Sequence, residues 1–97
     1  MAVEHQVWFK FRPEISEERI AHHVAGLSAL EGKIAGITAL KVGMNFTDRS
    51  QGHQLGLAVT FTDQAALEAY GPHAEHQAVA KPLAADCDSV MAVDFEF

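Results

Sequence analysis

The apolar residues of this chain change spacing along its length, between the two-residue period of strands and the three-to-four-residue period of helices. Alternate residues from His5 to Phe11 fall on one face and predict a first strand. Ser16 then has the position of a helix N-cap, with acidic residues in the turn that follows. An apolar stripe predicts a helix over Glu17 to Glu31, with Gly32 as its C-cap.

The second half of the chain repeats this change of period. Strand spacing recurs at 36–46, 53–61 and 89–97. A polar turn at 47–52 makes the first two of these strands a hairpin. Helical spacing predicts a short helix at Gln64–Tyr70 and a second from about Glu75 to Leu83, which Pro82 kinks or ends. The order of elements is therefore β-α-β-β-α-β.

This order is that of the ferredoxin-like, split βαβ arrangement, an α+β fold. It places a four-stranded antiparallel sheet under helices on one face, and residues 1–97 form a single domain without linker or repeat. The other sheet face also carries apolar residues, either Trp8 with Val90 and Ala92 or the Phe-rich alternate set of the last strand. Because an apolar face requires cover, we expect a homodimer in which two sheets face each other as a dimeric α/β barrel.

Charge and motif content exclude several classes of function. Seven Lys and Arg stand against 13 Asp and Glu, giving a net charge of -6 with no basic cluster, which argues against nucleic acid and anionic membrane partners. No signal peptide and no membrane-length apolar run is present, so a cytoplasmic location is expected. The single Cys87 lies between two aspartates and is expected to pack rather than react. Without phosphate-binding loops, Cys-His pairs or nucleophilic serine motifs, we expect no cofactor and no metal.

The stretch YGPHAEHQ, from Tyr70 to Gln77, places a phenol and two imidazoles around a Gly-Pro break. His76 has the chemistry of a general base near neutral pH, and Tyr70 has that of a donor to a developing enolate oxygen. His73 is a candidate ligand-binding residue, and no further side chain completes a metal set with it. The structural alternative is that His76 caps local backbone and Tyr70 closes a helix over the core.

Other candidate residues lie on apolar faces. His5 lies on the same face of the first strand as Val7, Phe9 and Phe11. It is either a hydrogen-bonded core residue or part of a pocket. His23 is expected to be partly buried, and His22 and His53 to be exposed. Five apolar residues belong to the core or line an apolar ligand cavity, namely Phe9, Phe11, Leu27, Leu30 and Phe61.

Three segments carry a resemblance to a known family: EHQVWFKFRPEISEERI near the start, SQGHQLGLAVTFTDQAALEAYGPHAEHQAV in the second half, and the terminal VDFE. Together they resemble the stress-responsive α/β-barrel domain (Dabb) family over nearly the whole chain. The resemblance implies a dimeric α+β barrel with the helices outside. It implies little about activity, since most members have none assigned and a few form stress-associated assemblies. A plant branch, the olivetolic acid cyclases, closes a poly-β-ketone by aldol condensation without a cofactor.

The similarity to that branch extends to individual residues. His5, Tyr70 and His76 match its pocket histidine, its oxyanion-stabilising tyrosine and its general base, while Leu55 replaces a further pocket histidine. The expected function is binding of a small apolar carbonyl compound, with cofactor-free lyase or cyclase chemistry if the protein is an enzyme. The alternatives are a non-catalytic stress-associated assembly protein and a cofactor-free monooxygenase. An apolar cavity of about 300 Å³ or more between helices and sheet would favour ligand binding over the structural role.

Overall fold

The computed structural model describes residues 1–97 as four strands and three helices. The elements are β1 (Val3–Phe11), α1 (Glu17–Ser28), β2 (Ile37–Met44), β3 (Leu55–Phe61), α2 (Gln64–Tyr70), α3 (Ala74–Ala85) and β4 (Cys87–Glu96). All strand pairs are antiparallel, in the order β2-β3-β1-β4. The predicted ferredoxin-like α+β fold is confirmed. None of the three helices is long and apolar enough to span a membrane.

The helices begin where the sequence predicts and differ at two ends. Ser16 caps α1 by accepting a hydrogen bond from the backbone N–H of Arg19 at 3.1 Å. This helix ends at Ser28, and Gly32 takes a φ of +87° in the turn that follows, so the predicted C-cap at Gly32 is wrong. Helix α3 runs from Ala74 to Ala85 and includes Pro82, so it ends two residues beyond the predicted Leu83 and Pro82 does not end it. A proline late in a helix removes one backbone N–H, and the remaining hydrogen bonds of the last turn still form.

The strand register sets one face of the sheet, called the inner face here, against the helices. His5 is paired with Val59 on one side and with Asp94 on the other. The apolar alternates of β1 and β3 are buried on this face, as their two-residue period predicts. The core contains 13 buried apolar residues: Val3, Val7, Phe9, Phe11, Leu27, Leu30, Ile34, Leu55, Leu57, Val59, Phe61, Tyr70 and Leu83.

The opposite face of the sheet, called the outer face here, carries apolar side chains without a covering layer. Trp8 is paired with Met91 of β4 and with Gly56 of β3. It therefore shares the outer face with the Phe-rich set of β4, whose members Met91, Val93 and Phe95 are all exposed. The alternative grouping of Trp8 with Val90 and Ala92 is wrong, because the register pairs those two residues with inner-face positions of β1.

A partly buried polar cluster ties the first helix to the junction between α3 and β4. His23 is 2% exposed, and its Nε2–H donates to Asp86 Oδ2 at 2.7 Å. Arg19 donates through Nε to the same oxygen at 2.8 Å. The hydrogen bond from His23 and then that from Arg19 hold the pKa of Asp86 below its usual range. We call these residues the Arg19–His23–Asp86 cluster.

The depressed pKa of Asp86 predicts how acid affects stability. A carboxylate whose pKa is lower in the folded than in the unfolded chain adds stability that is present above the unfolded pKa and lost as the pH falls through the folded pKa. We therefore expect the free energy of unfolding to fall less steeply below about pH 5 in Asp86→Asn than in the parent. Urea unfolding at a series of pH values from 7 down to 3 measures both slopes. Parallel curves for the two proteins would contradict the assignment.

Candidate functional site

The break between α2 and α3 brings Tyr70 and His76 together. Tyr70 is the last residue of α2, Gly71 caps that helix, and His73 is the N-cap of α3. His76 lies in the first turn of α3, which folds its ring back over Tyr70. The two ring centroids are 4.0 Å apart with the planes inclined at 35°.

The hydrogen bonds of His76 determine which of its nitrogens is available. Its Nδ1–H donates to the carbonyl oxygen of Gly71 at 2.9 Å. The side-chain amide of Gln77 donates to the same oxygen at 2.6 Å. With the proton of the neutral ring held on Nδ1, the lone pair lies on Nε2. His76 is thus arranged as a base with one free nitrogen.

Tyr70 presents a buried hydroxyl without a partner. The residue is 2% exposed, and its Oη makes no hydrogen bond to the protein. Burial raises the pKa of this phenol to about 12, so it remains protonated at neutral pH and can act as a donor. The ring is fixed by edge contacts with Phe61, at 5.0 Å between centroids, and with His5, at 5.8 Å.

Asp94 joins this group from the last strand. His5 Nδ1 is hydrogen-bonded to Asp94 Oδ1 across the β1–β4 pair. The carboxylate orients the imidazole and holds its proton on Nδ1. Asp94 was missed from the sequence, where it is one of several acidic residues near the C-terminus. The sequence shows only that Asp94 falls on the inner face of the last strand. The register of β1 and β4 is needed to show that it lies opposite His5.

The structure therefore brings together three residues predicted as catalytic, His5, Tyr70 and His76, and adds Asp94. We call these four residues the Tyr70 cluster. The Asp94 side chain is 44% exposed and that of His5 is 15% exposed, so the cluster meets solvent along the β4 edge of the inner face.

The other candidate residues have different surroundings. His73 is half-buried and accepts the backbone N–H of Glu75 through Nδ1, as a helix cap. His53 is half-buried rather than exposed as predicted, because Nδ1 donates to the Ser50 carbonyl and Nε2 meets Ser89 Oγ. The five apolar residues proposed as core or cavity lining all lie in the core: Phe9, Phe11, Leu27, Leu30 and Phe61. No three His, Cys, Asp or Glu side chains are grouped as metal ligands would be.

Two hollows lie on the outer face, away from the Tyr70 cluster. One has a volume of about 770 Å³, lies under the loop between β2 and β3, and is open to solvent. The other, of about 410 Å³, follows the outer face of β2 and β3. Trp8, Gly43 and Gly56 line both of them. The acid and base groups of the Tyr70 cluster lie on the other side of the sheet from both hollows.

Comparison with known proteins places this geometry in a family. Residues 3–97 match the model of the stress responsive A/B barrel domain, Dabb. A dimeric ferredoxin-like protein of unknown function from Jannaschia sp. is 33% identical over 100% of both chains, with a TM-score of 0.86. A dimeric ferredoxin-like protein of unknown function from Bacteroides fragilis is 30% identical, covering 99% of this chain and 96% of its own, with a TM-score of 0.86.

A third solved structure is similar in fold alone. The hydroxynitrile lyase from Passiflora edulis is 18% identical, covers 97% of this chain and 91% of its own, and has a TM-score of 0.88. No functionally curated protein matches the chain.

Proposed function

We propose, from the premise that this chain belongs to the stress responsive A/B barrel domain family, that it performs cofactor-free acid–base chemistry on a small carbonyl compound at the Tyr70 cluster. The observation that carries the proposal is the buried Tyr70 hydroxyl, which has no protein partner and lies beside a histidine with a free Nε2. Buried polar groups are normally paired, and an orphan of this kind in a native fold calls for an explanation. A substrate oxygen would accept the hydrogen bond that the Tyr70 hydroxyl does not make within the protein.

The proposed step is removal of a proton alpha to a carbonyl group. His76 Nε2 takes the proton, and the electron pair of the broken C–H bond moves into the enolate. The enolate oxygen then accepts a hydrogen bond from Tyr70 Oη, which stabilises charge where it develops. Asp94 binds Nδ1 of His5 and leaves Nε2 of His5 free. That nitrogen can accept a hydrogen bond from a second polar group of the substrate and so position it. The enolate either takes the proton back from His76 on carbon or adds to a second carbonyl carbon, and in that aldol outcome the alkoxide formed takes the proton from His76.

The assembly proposed for this chain is a homodimer through the outer face. The relatives from Jannaschia sp. and Bacteroides fragilis are both dimeric, and the outer face here is apolar and uncovered. A net charge of -6 favours a small-molecule substrate over nucleic acid, in keeping with a cytoplasmic protein. The fold also carries a lyase in Passiflora edulis, which supports a search for lyase or cyclase chemistry.

Exchange of ketone protons for deuterium tests the proposed step without knowledge of the natural substrate. The probes are acetone, cyclohexanone and acetophenone in D₂O at pD 7, followed by proton NMR. We expect the parent to accelerate exchange of at least one probe above free imidazole at equal concentration. Loss of a general base typically costs 10²–10⁴-fold, so His76→Ala should lose about 100-fold or more of that rate.

The control for this test is His22→Ala, which removes an exposed histidine elsewhere on the chain and should leave the exchange rate unchanged. Equal rates in the two variants, or a parent no faster than imidazole on every probe, would overturn the proposal.

A non-catalytic structural role is the second candidate, and one observation favours it. The five apolar residues that might have lined a cavity are packed in the core, and the two hollows described above lie on the outer face. Under this alternative, His76 serves to hold Gly71 and cover Tyr70. His76→Ala should then lower the free energy of unfolding in urea by more than about 2 kcal/mol. A neutral or stabilising change favours the acid–base role instead.

A further inference from the structure

A serine and a histidine that are distant in sequence form a hydrogen-bonded pair at one end of the outer face. Ser89 lies on β4, and its Oγ is 3.0 Å from Nε2 of His53 in the loop between β2 and β3. Both residues are half-buried, which leaves part of each open to solvent. Sequence motifs do not reveal the pair, because its members lie 36 residues apart. The Tyr70 cluster uses neither residue.

The loop fixes the orientation of His53 and the position of its proton. The Ser50 carbonyl oxygen accepts hydrogen bonds from the backbone N–H of His53 at 3.2 Å and from Nδ1–H of its ring at 2.9 Å. Ser50 Oγ in turn donates to the His53 carbonyl oxygen at 2.7 Å. Gln51 and Gly52, which lie between them, both have positive φ, as in a tight turn. A carbonyl oxygen can only accept, so the proton of the neutral ring lies on Nδ1 and the lone pair on Nε2.

This proton position makes Ser89 the donor in the pair. The Ser89 hydroxyl donates to His53 Nε2, which is the contact through which a histidine removes the proton of a serine nucleophile. On the other side of the ring, the Ser50 carbonyl takes the place that a carboxylate has in a serine, histidine and aspartate triad. A hydroxyl, a base and the group that orients the base are thus aligned in one chain of hydrogen bonds.

A lysine lies beside this pair. Lys10 of β1 is paired directly with Ser89, and side chains in such a cross-strand pair are neighbours on one face of the sheet. Its ammonium reaches the loop, where a Cβ built on Gly52 would come within 3.4 Å of Nζ. Lys10 belongs to no ion pair, so its charge is available to an oxyanion that forms at Ser89.

A hollow of the outer face extends from the pair and has room for an acyl group. His53 lines this hollow, whose volume is about 770 Å³, together with the apolar side chains of Trp8, Met44 and Met91. Ligand sites in proteins commonly have volumes of about 300–1,000 Å³ and apolar walls with a few polar groups. Ser89 is the last outer-face position of β4 paired with β1 before the bulge, so the pair lies where the sheet face ends.

We propose that Ser89 and His53 form a second catalytic site, which hydrolyses esters of apolar acids through an acyl-serine intermediate. Ser89 Oγ bonds to the ester carbonyl carbon while its proton passes to His53 Nε2, and the Lys10 ammonium stabilises the oxyanion. The bond to the alcohol oxygen then breaks, and the alcohol leaves with the proton from His53. Water adds to the acyl carbon with His53 again as base, and Ser89 Oγ leaves and recovers its proton. Ester and water thus become carboxylic acid and alcohol.

Covalent labelling of the whole protein tests the nucleophile. Diisopropyl fluorophosphate attaches its phosphoryl group to an activated serine with loss of fluoride, and tandem mass spectrometry locates the label. We expect label on Ser89 in the parent. Labelling should be slower by about 100-fold or more in His53→Ala, because loss of a general base has an effect of that size. A parent without label on Ser89, or equal labelling rates in the two proteins, would overturn the proposal.

Hydrolysis of 4-nitrophenyl butyrate tests turnover. We expect the parent to release 4-nitrophenolate faster than free imidazole at equal concentration, and Ser89→Ala to lose at least tenfold of that rate. Ser28→Ala removes an exposed serine at the end of α1 and should keep the parent's rate. If Ser89 only ties the loop to β4, Ser89→Ala will unfold at lower urea and hydrolyse the ester as the parent does, which overturns the proposal. A parent no faster than imidazole does the same.

The two proposed sites are independent of each other. The Tyr70 cluster lies on the inner face and is tested by proton exchange, whereas Ser89 and His53 lie on the other side of the sheet and are tested by acyl transfer. Failure of either proposal therefore leaves the other standing.

Discussion

Tyr70→Phe is expected to make the protein more stable and less active at the same time. The phenylalanine ring keeps the contacts with Phe61 and His76 while removing a buried hydroxyl that has no partner. An unsatisfied buried polar group costs about 1–3 kcal/mol, so the free energy of unfolding in urea should rise by an amount in that range. Loss of one oxyanion donor lowers catalysis by about 10²–10³-fold, and α-proton exchange should fall accordingly.

The two measurements separate the functional from the structural role of Tyr70. A hydroxyl kept for structure would be bonded, and its removal would destabilise the fold. A hydroxyl kept for a substrate lowers stability in the free protein, because natural proteins retain unfavourable groups where function needs them. Phe61→Leu serves as a control, since it perturbs the packing around Tyr70 and leaves the hydroxyl. If Tyr70→Phe loses stability and keeps its exchange rate, the phenol is a core residue and the proposed reaction lacks its oxyanion donor.

Much of the fold was predictable because it depends on short-range patterns. Ser16 identifies the start of α1 through a local hydrogen bond, and the two-residue period of β1 fixes which of its residues are buried. The order of strand and helix periods then leaves few topologies. The stretch YGPHAEHQ was likewise informative, because the contact between Tyr70 and His76 spans only six residues and a helix break.

The features that were missed depend on pairing between distant strands. Asp94 reaches His5 only through the register of β1 and β4, separated by more than 80 residues. The same register decides that Trp8 lies with Met91 rather than with Val90. His53 was wrongly predicted to be exposed, because its hydrogen bond to Ser89 joins the β2–β3 loop to β4, which is distant in sequence. Period alone gives the face of each strand and leaves open which residues meet across strands.

His23→Ala is expected to cause a large loss of stability without touching the Tyr70 cluster. Its ring is buried, stacks against Phe11 at 6.0 Å between centroids, and donates to Asp86. Alanine leaves a cavity and removes one donor from Asp86, so the free energy of unfolding should fall by about 2–4 kcal/mol in urea.

The neighbouring His22→Ala is the matched control for this prediction. His22 has the same residue type, lies on the same helix and is exposed, so its change should stay within about 0.5 kcal/mol of the parent. Comparing the two variants separates the stability lost with burial and hydrogen bonding from any change in helix propensity, which is the same for both. Because His23 is the main cause of the low pKa of Asp86, His23→Ala should also flatten the acid dependence of stability, as Asp86→Asn does. If the two alanine variants unfold at the same urea concentration, the Arg19–His23–Asp86 cluster does not hold α1 to the α3–β4 junction.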